Sequence, residues 1–312
     1  MAETPSLPEP ERLLLAEAFR LTTELAEEIW PGWGVAPWEV LLVGEEHEYL
    51  VNSPRRPEGF AELARDELLE GKVLVRARTV PPGLRATYPL LGGPPLVVVG
   101  GPQATGLDPT AWLAMVLHEH FHQLQMSDSD YYADVEALEL SGGDQSGSWM
   151  LDFPFPYDDP EVEARFKGLC TAIRTALVGE VPPGEVLTGR VAEAVAGLAA
   201  VLVDDAYRYL GFQLWQEGVA RYVQYRAARL AGERFEPSPS VIALPGYRPF
   251  AEVATELREQ ILARLAEPRL EEQRRVAFYA VGAGLAMLLE EQSPDWRRGY
   301  LKRKFALEGL LP

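Results

Sequence analysis

Apolar side chains recur at intervals of three and four over residues 9–30. Leu13, Leu14, Phe19, Leu21, Leu25 and Ile29 give the stripe of an amphipathic helix. Pro31-Gly32 supplies its stop. The period then shortens to two, and residues 38–43, 48–51, 72–78 and 95–99 read as strands. A short helix is expected between them, over 60–69. From Asp108 onward helical spacing dominates. Asp108 followed by Pro109 is a helix start, with aspartate as N-cap and proline at the first helical position. That helix is expected to end near Ser127, with a short helix after it over 131–140. Residues 141–148 and 153–160 are rich in glycine, serine and proline and read as loop. Further helices are expected over 161–178, 188–205, 209–231, 249–266, 270–292 and 294–305.

Strands followed by a run of helices imply an α+β fold. The change of period divides the chain into residues 1–107, with a small and mainly antiparallel sheet, and residues 108–312, predominantly helical. The two are expected to form one compact catalytic unit. A chain of 312 residues is long enough to bury a substantial core. Its net charge of −18 repels phosphate backbones and anionic lipid, so nucleic acid and membranes are not expected partners. The apolar stretches 191–203 and 277–289 are too short to span a bilayer and read as buried helices. One cysteine, Cys170, excludes an internal disulfide and a cysteine-based metal cluster. With an acidic, proline-rich start that lacks the pattern of a secretory leader, this points to a cytoplasmic setting.

The chemistry concentrates in Leu117-His-Glu-His-Phe-His-Gln123, which contains H-E-x-x-H. On a helix, His118 and His122 stand one turn apart on one face, where two imidazoles can grip one tetrahedral Zn2+. Glu119 lies on the rim of that face, placed to take a proton from water activated at the metal. Three of the four histidines fall in this short stretch, and the helix enters it from the largely apolar run Thr110 to Leu117. His120 turns by ~200° from His118 and points away, as a packed residue. A catalytic zinc takes a third protein ligand. With only His47 left among the histidines, that ligand is expected to be a carboxylate. Asp130, Asp134, Glu136 and Glu139 are candidates at short spacing. Glu217 is preferred, because it lies in an amphipathic helix between Trp215 and Gly218, and the glycine suggests close approach of the metal helix. Trp112, Trp215 and Trp296 are assigned to packing. The strand over 95–99 has two readings, as a core strand or as an edge to which an extended peptide adds.

His118-Glu119-x-x-His122 followed by Glu217-Gly-x-Ala-x-Tyr222 resembles the gluzincin zinc metallopeptidases, the thermolysin-like and aminopeptidase-like enzymes. The resemblance implies a zincin-like fold and Zn2+ on His118, His122 and Glu217. It also implies a peptide or protein substrate and Glu119 as general base. In aminopeptidase-like members a later helix supplies a tyrosine that stabilises the oxyanion. The stretch Tyr279-Ala-Val-Gly282 is similar, which makes Tyr279 the candidate, with Tyr222 and Tyr225 as rivals. The sequence departs from the group in the long interval between His122 and Glu217. It also has Arg221 where thermolysin-like members carry an acid. Arg221 is expected in an ion pair, or at a substrate carboxylate. Asp134, Asp204 and Asp205 are candidates to orient a histidine. No aminopeptidase signature of the G-x-M-E-N type is present. The alternative function is a zinc-binding, gluzincin-like protein with little peptidase activity, regulatory or latent.

Overall fold

The computed structural model describes residues 5–307 except 64, 145, 180–185 and 294, and leaves the side chains of 186–188 undescribed. It is an α+β structure with one six-stranded sheet. The chain forms two compact units, Met1–Ser127 with Val223–Thr255, and Asp128–Tyr222 with Glu256–Pro312.

In the first unit the strands are β1 (Val40–Val43), β2 (His47–Val51), β3 (Ala61–Glu62), β4 (Val73–Ala77), β5 (Arg85–Tyr88) and β6 (Leu96–Gly100). They lie in the order β3-β4-β2-β1-β6-β5. All neighbours are antiparallel except β1 and β6, which run parallel with Leu41 opposite Val98. Leu41, Val43, Leu50, Leu74, Leu96 and Val98 form one apolar cluster with Phe60 and Val80. Helix α1 (Glu9–Ile29) buries Leu14, Leu21, Leu25 and Ile29 and packs on α2 (Pro109–Ser127). Asp108 caps α2 as expected, its Oδ1 accepting from the Thr110 and Ala111 amides at 3.1 and 2.9 Å.

One expectation for this unit fails. No helix forms over 60–69, leaving aside Ala64, which lies outside the described residues. β3 pairs with β4 there, and Asp66 Oδ1 takes the amides of Leu68 and Leu69 at 2.9 and 3.0 Å. A carboxylate that captures nearby amides offers the backbone an alternative to helix. Of the two readings of the strand over 95–99, the core strand is the one seen, because β6 sits between β1 and β5. The terminal strand beyond it is β5, with β3 at the opposite end of the sheet.

The second unit is helical, with α3 (Pro160–Leu177) and a helix over Ala192–Ala199. α4 follows as three joined pieces: Asp204–Gln213, a π turn over Leu214–Gly218, and Val219–Arg234, which from Val223 on lies in the first unit. α5 (Phe250–Ala266), which enters this unit at Glu256, and α6 (Val276–Gln292) follow. The helix expected over 188–205 stops at Ala199, and Asp204-Asp205 opens the first turn of α4. Two carboxylates favour a helix N-terminus and oppose a C-terminus. The helix expected over 270–292 breaks at Arg274, whose φ is 50°. The helix expected over 294–305 reduces to short turns at Trp296–Gly299 and Tyr300–Lys302; Pro294 lies outside the described residues. Trp112, Trp215 and Trp296 are buried as expected. Among the described residues no helix is long and apolar enough to cross a membrane.

α4 and α6 touch through their backbones. A Cβ built on Gly218 would stand 2.5 Å from Gly282 Cα, and one on Gly282 would meet Leu214 O at 2.5 Å. The glycine beside Glu217 therefore admits α6; the expected role, close approach of the metal helix, is not the one seen. Neither obstacle is a flexible side chain. Gly218→Ala is expected to destabilise by ~3 kcal/mol, at the upper end for overpacking. Gly168→Ala, in open space on α3, should be neutral or stabilise by up to ~1 kcal/mol. Urea denaturation midpoints of the two variants check the contrast.

Candidate metal centre

α2 is enclosed on nearly every side, with Trp112 through Gln125 all buried. A helix without a solvated face has to satisfy its polar side chains internally. Trp112 Nε1 donates to Gly100 O at 2.8 Å, at the end of β6. Gln123 Nε2 donates to Glu39 O at 2.9 Å and Pro95 O at 3.2 Å, beside the starts of β1 and β6. Between them, Thr87 Oγ1 on β5 lies 3.0 Å from Glu119 Oε2 and 2.8 Å from Glu119 O, donating one shared proton. These bonds set α2 antiparallel to β6 and fix which way each turn faces.

His118 and His122 are 9 % and 5 % exposed. Gln125 Oε1 accepts from His122 Nδ1 at 2.6 Å. That bond puts the proton on Nδ1 and the lone pair on Nε2, the arrangement a ligating histidine needs. His122 Nε2 stands 3.2 Å from His118 Nε2. Two nitrogens bound tetrahedrally at ~2.0–2.1 Å from one zinc ion are ~3.3 Å apart, so the observed spacing fits a shared ion. Gln125 takes the orienting role that the sequence assigned to aspartates. Its sequence signal is the i, i+3 spacing from His122, a glutamine rather than an acid. Asp134 pairs instead with Lys304 at 2.7 Å, and Asp205 with Arg208 at 2.5 Å. Asp204 is exposed in the first turn of α4.

Glu217 lies in the π turn of α4. One ligand atom from each of His118, His122 and Glu217 lies within 4.8 Å of the others. Among the described residues this is the group of histidine, cysteine and acidic side chains that can hold a metal. Asp130, Asp134, Glu136 and Glu139, at short spacing, do not enter it. A His/His/carboxylate donor set suits a divalent ion of borderline softness.

Around Glu217, Tyr279 and Arg275 reach in from α6 and its N-cap. Arg275 Nη1 is 4.0 Å from Glu217 Oε1 and donates to the Tyr279 hydroxyl. Burial raises the Tyr279 pKa well above the usual tyrosine range, and the Glu217 charge and a hydrogen bond to Glu217 add to this. The Gly218–Gly282 crossing, one turn from Tyr279, is what brings that phenol to Glu217. Tyr222 is buried, with its hydroxyl 3.5 Å from Arg297 Nη1, and Tyr225 is half-buried. Arg221 Nη2 donates to Gln260 Oε1 at 2.6 Å, and desolvation followed by Arg264 lowers its pKa to about 10.

His120 packs as expected. Its ring stacks on Trp38 at 3.7 Å and Trp33 at 5.3 Å, and burial drives its pKa down to about 3. His47 opens β2, half-buried. The loop over 153–159 is pinned by its aromatic residues. Phe153 stacks on Tyr209 at 4.5 Å, Phe155 meets Phe278 at 5.0 Å, and Tyr157 lies under Arg274 at 4.6 Å.

Comparison of the chain with protein-family models, with curated proteins and with solved structures finds no match. The metal reading therefore stands on the geometry of His118, His122 and Glu217. An excess of zinc near 100 times its dissociation constant should raise unfolding stability by ~2.7 kcal/mol. His122→Ala should abolish that gain and Glu217→Ala should reduce it strongly. Thermal melts with and without zinc test this; a wild-type melt indifferent to zinc, copper and nickel alike defeats the assignment.

Proposed function

We propose that this chain is a zinc-dependent hydrolase of peptide bonds, of the gluzincin kind. The observation that carries the reading is the convergence of two imidazole nitrogens, 3.2 Å apart, with a carboxylate oxygen inside the same 4.8 Å group. Three protein ligands leave one tetrahedral position open, as in catalytic rather than structural zinc sites. Zinc held by His118, His122 and Glu217 supplies Lewis acidity, lowering the pKa of water toward 7 and polarising a carbonyl.

The remaining work falls to the chain. Glu119 accepts the proton of the attacking water on its carboxylate and returns it to the leaving amine. Thr87 occupies Oε2 of that carboxylate, which leaves Oε1 to take the proton. Tyr279 keeps its proton, because its pKa is raised, and so serves as a neutral donor to the developing oxyanion. β5 ends the sheet, and an extended substrate laid along it gains backbone hydrogen bonds.

Metal analysis and a pooled-peptide cleavage assay on wild type and Glu119→Gln test the reading together. Both proteins should carry zinc, while the variant loses ~100-fold or more in rate, the usual contribution of a general base. Cleavage by Glu119→Gln at the wild-type rate removes Glu119 from its role. Thr87→Val should keep zinc and lower kcat by roughly 10-fold, about the value of one hydrogen bond to a charged group. An unchanged kcat in Thr87→Val shows that the orientation of Glu119 has another source.

A further inference from the structure

We propose that Arg275 anchors a carboxylate of the substrate, so that the site takes peptides with a free carboxyl group next to the scissile bond. The inference rests on the metallopeptidase reading above and adds its substrate class.

The first support is electrostatic. Arg275 Nη1 lies 4.0 Å from a candidate metal ligand, Glu217 Oε1, in a chain of net charge −18. A guanidinium there competes with a metal cation for the same carboxylate, and like charges repel. Once Glu217 is committed to a metal, Arg275 faces a second cation with no anion of its own. An added carboxylate resolves this imbalance.

The second support is the donor count. Arg275 has five N–H donors in a planar fork. Nη1 donates to the Tyr279 hydroxyl, and the 4.0 Å approach to Glu217 is longer than a hydrogen bond. The side chain is 24 % exposed, so its remaining donors reach solvent. A fork of this kind binds carboxylates in bidentate fashion.

The third support is preorganisation. Arg274 holds φ 50° and ψ −135°, a conformation that side-chained residues rarely adopt. The Arg274 guanidinium lies over the Tyr157 ring at 4.6 Å, and that of Arg275 lies 5.7 Å from the Tyr279 ring centroid. The reversal at Arg274 thus sends consecutive arginines to separate aromatic seats.

The test uses the full chain carrying Glu119→Gln and loaded with zinc. It is titrated calorimetrically with N-benzoyl-glycyl-leucine and with the same peptide as its C-terminal amide. The acid should bind at least ~10-fold tighter than the amide, the value of roughly one charged hydrogen bond. Adding Arg275→Gln should bring the two within about twofold, and Arg275→Lys should keep part of the preference, since it keeps the charge but not the fork. Zinc content should be equal in all three proteins. Equal binding of acid and amide before Arg275 is changed, or a preference that survives Arg275→Gln, overturns the proposal. A loss of zinc in Arg275→Gln with acid and amide weakened alike also overturns it, because Arg275 then only holds Glu217 in place. Failure of the peptidase reading appears separately, as wild-type protein that leaves both peptides intact while the preference for the acid persists.

Discussion

A helix buried on nearly every side has little water to satisfy its polar groups, and this constraint shapes α2. Its tryptophan, glutamate and glutamine side chains find partners on the sheet, at Gly100, Thr87, Glu39 and Pro95. A rotation of α2 by one residue would strand each of them at a cost of about 1–3 kcal/mol apiece. The rotation that satisfies all three also settles where His118 and His122 point. The same bonds that stabilise the fold therefore aim the imidazoles.

Glu217 is aimed by different means. It sits in a π turn, where the helix is locally wound wider than its neighbours, and such turns often accompany functional positions. The adjacent Gly218 allows α6 to approach until backbones touch. That contact carries Tyr279 to Glu217, and the break at Arg274 sets Arg275 beside both. The carboxylate is thus held between a phenol and a guanidinium.

Much of this was legible in the sequence. Long periodic segments such as α1 and the start of α2 announce themselves by spacing and by Asp108-Pro109. H-E-x-x-H picked out His118 and His122, and the search for a third candidate ligand led to Glu217, which the structure brings into one group with them. What was hidden depends on contacts between distant segments. β5 is only four residues long and exists because it pairs with β6. Gln125 looks like any polar helix residue until His122 is known to face it. The helical pattern over 60–69 loses to Asp66, whose carboxylate captures local amides and Arg12. Gly218 was noticed as a place of close approach, but only the fold names α6 as its neighbour.

The π turn also fixes the phase of α4. Gly211 rests against Phe305 and Gly218 against Gly282, and the wide winding between them sets the angle between those two seats. A π turn advances by about 80° per residue against ~100° in an α-helix, so winding the same Leu214–Gly218 residues as ordinary helix would turn one half of α4 by roughly 90° relative to the other. Every side chain could stay chemically intact and the carboxylate would still face the wrong way. Here the orientation of a functional group depends on the winding of the backbone beneath it.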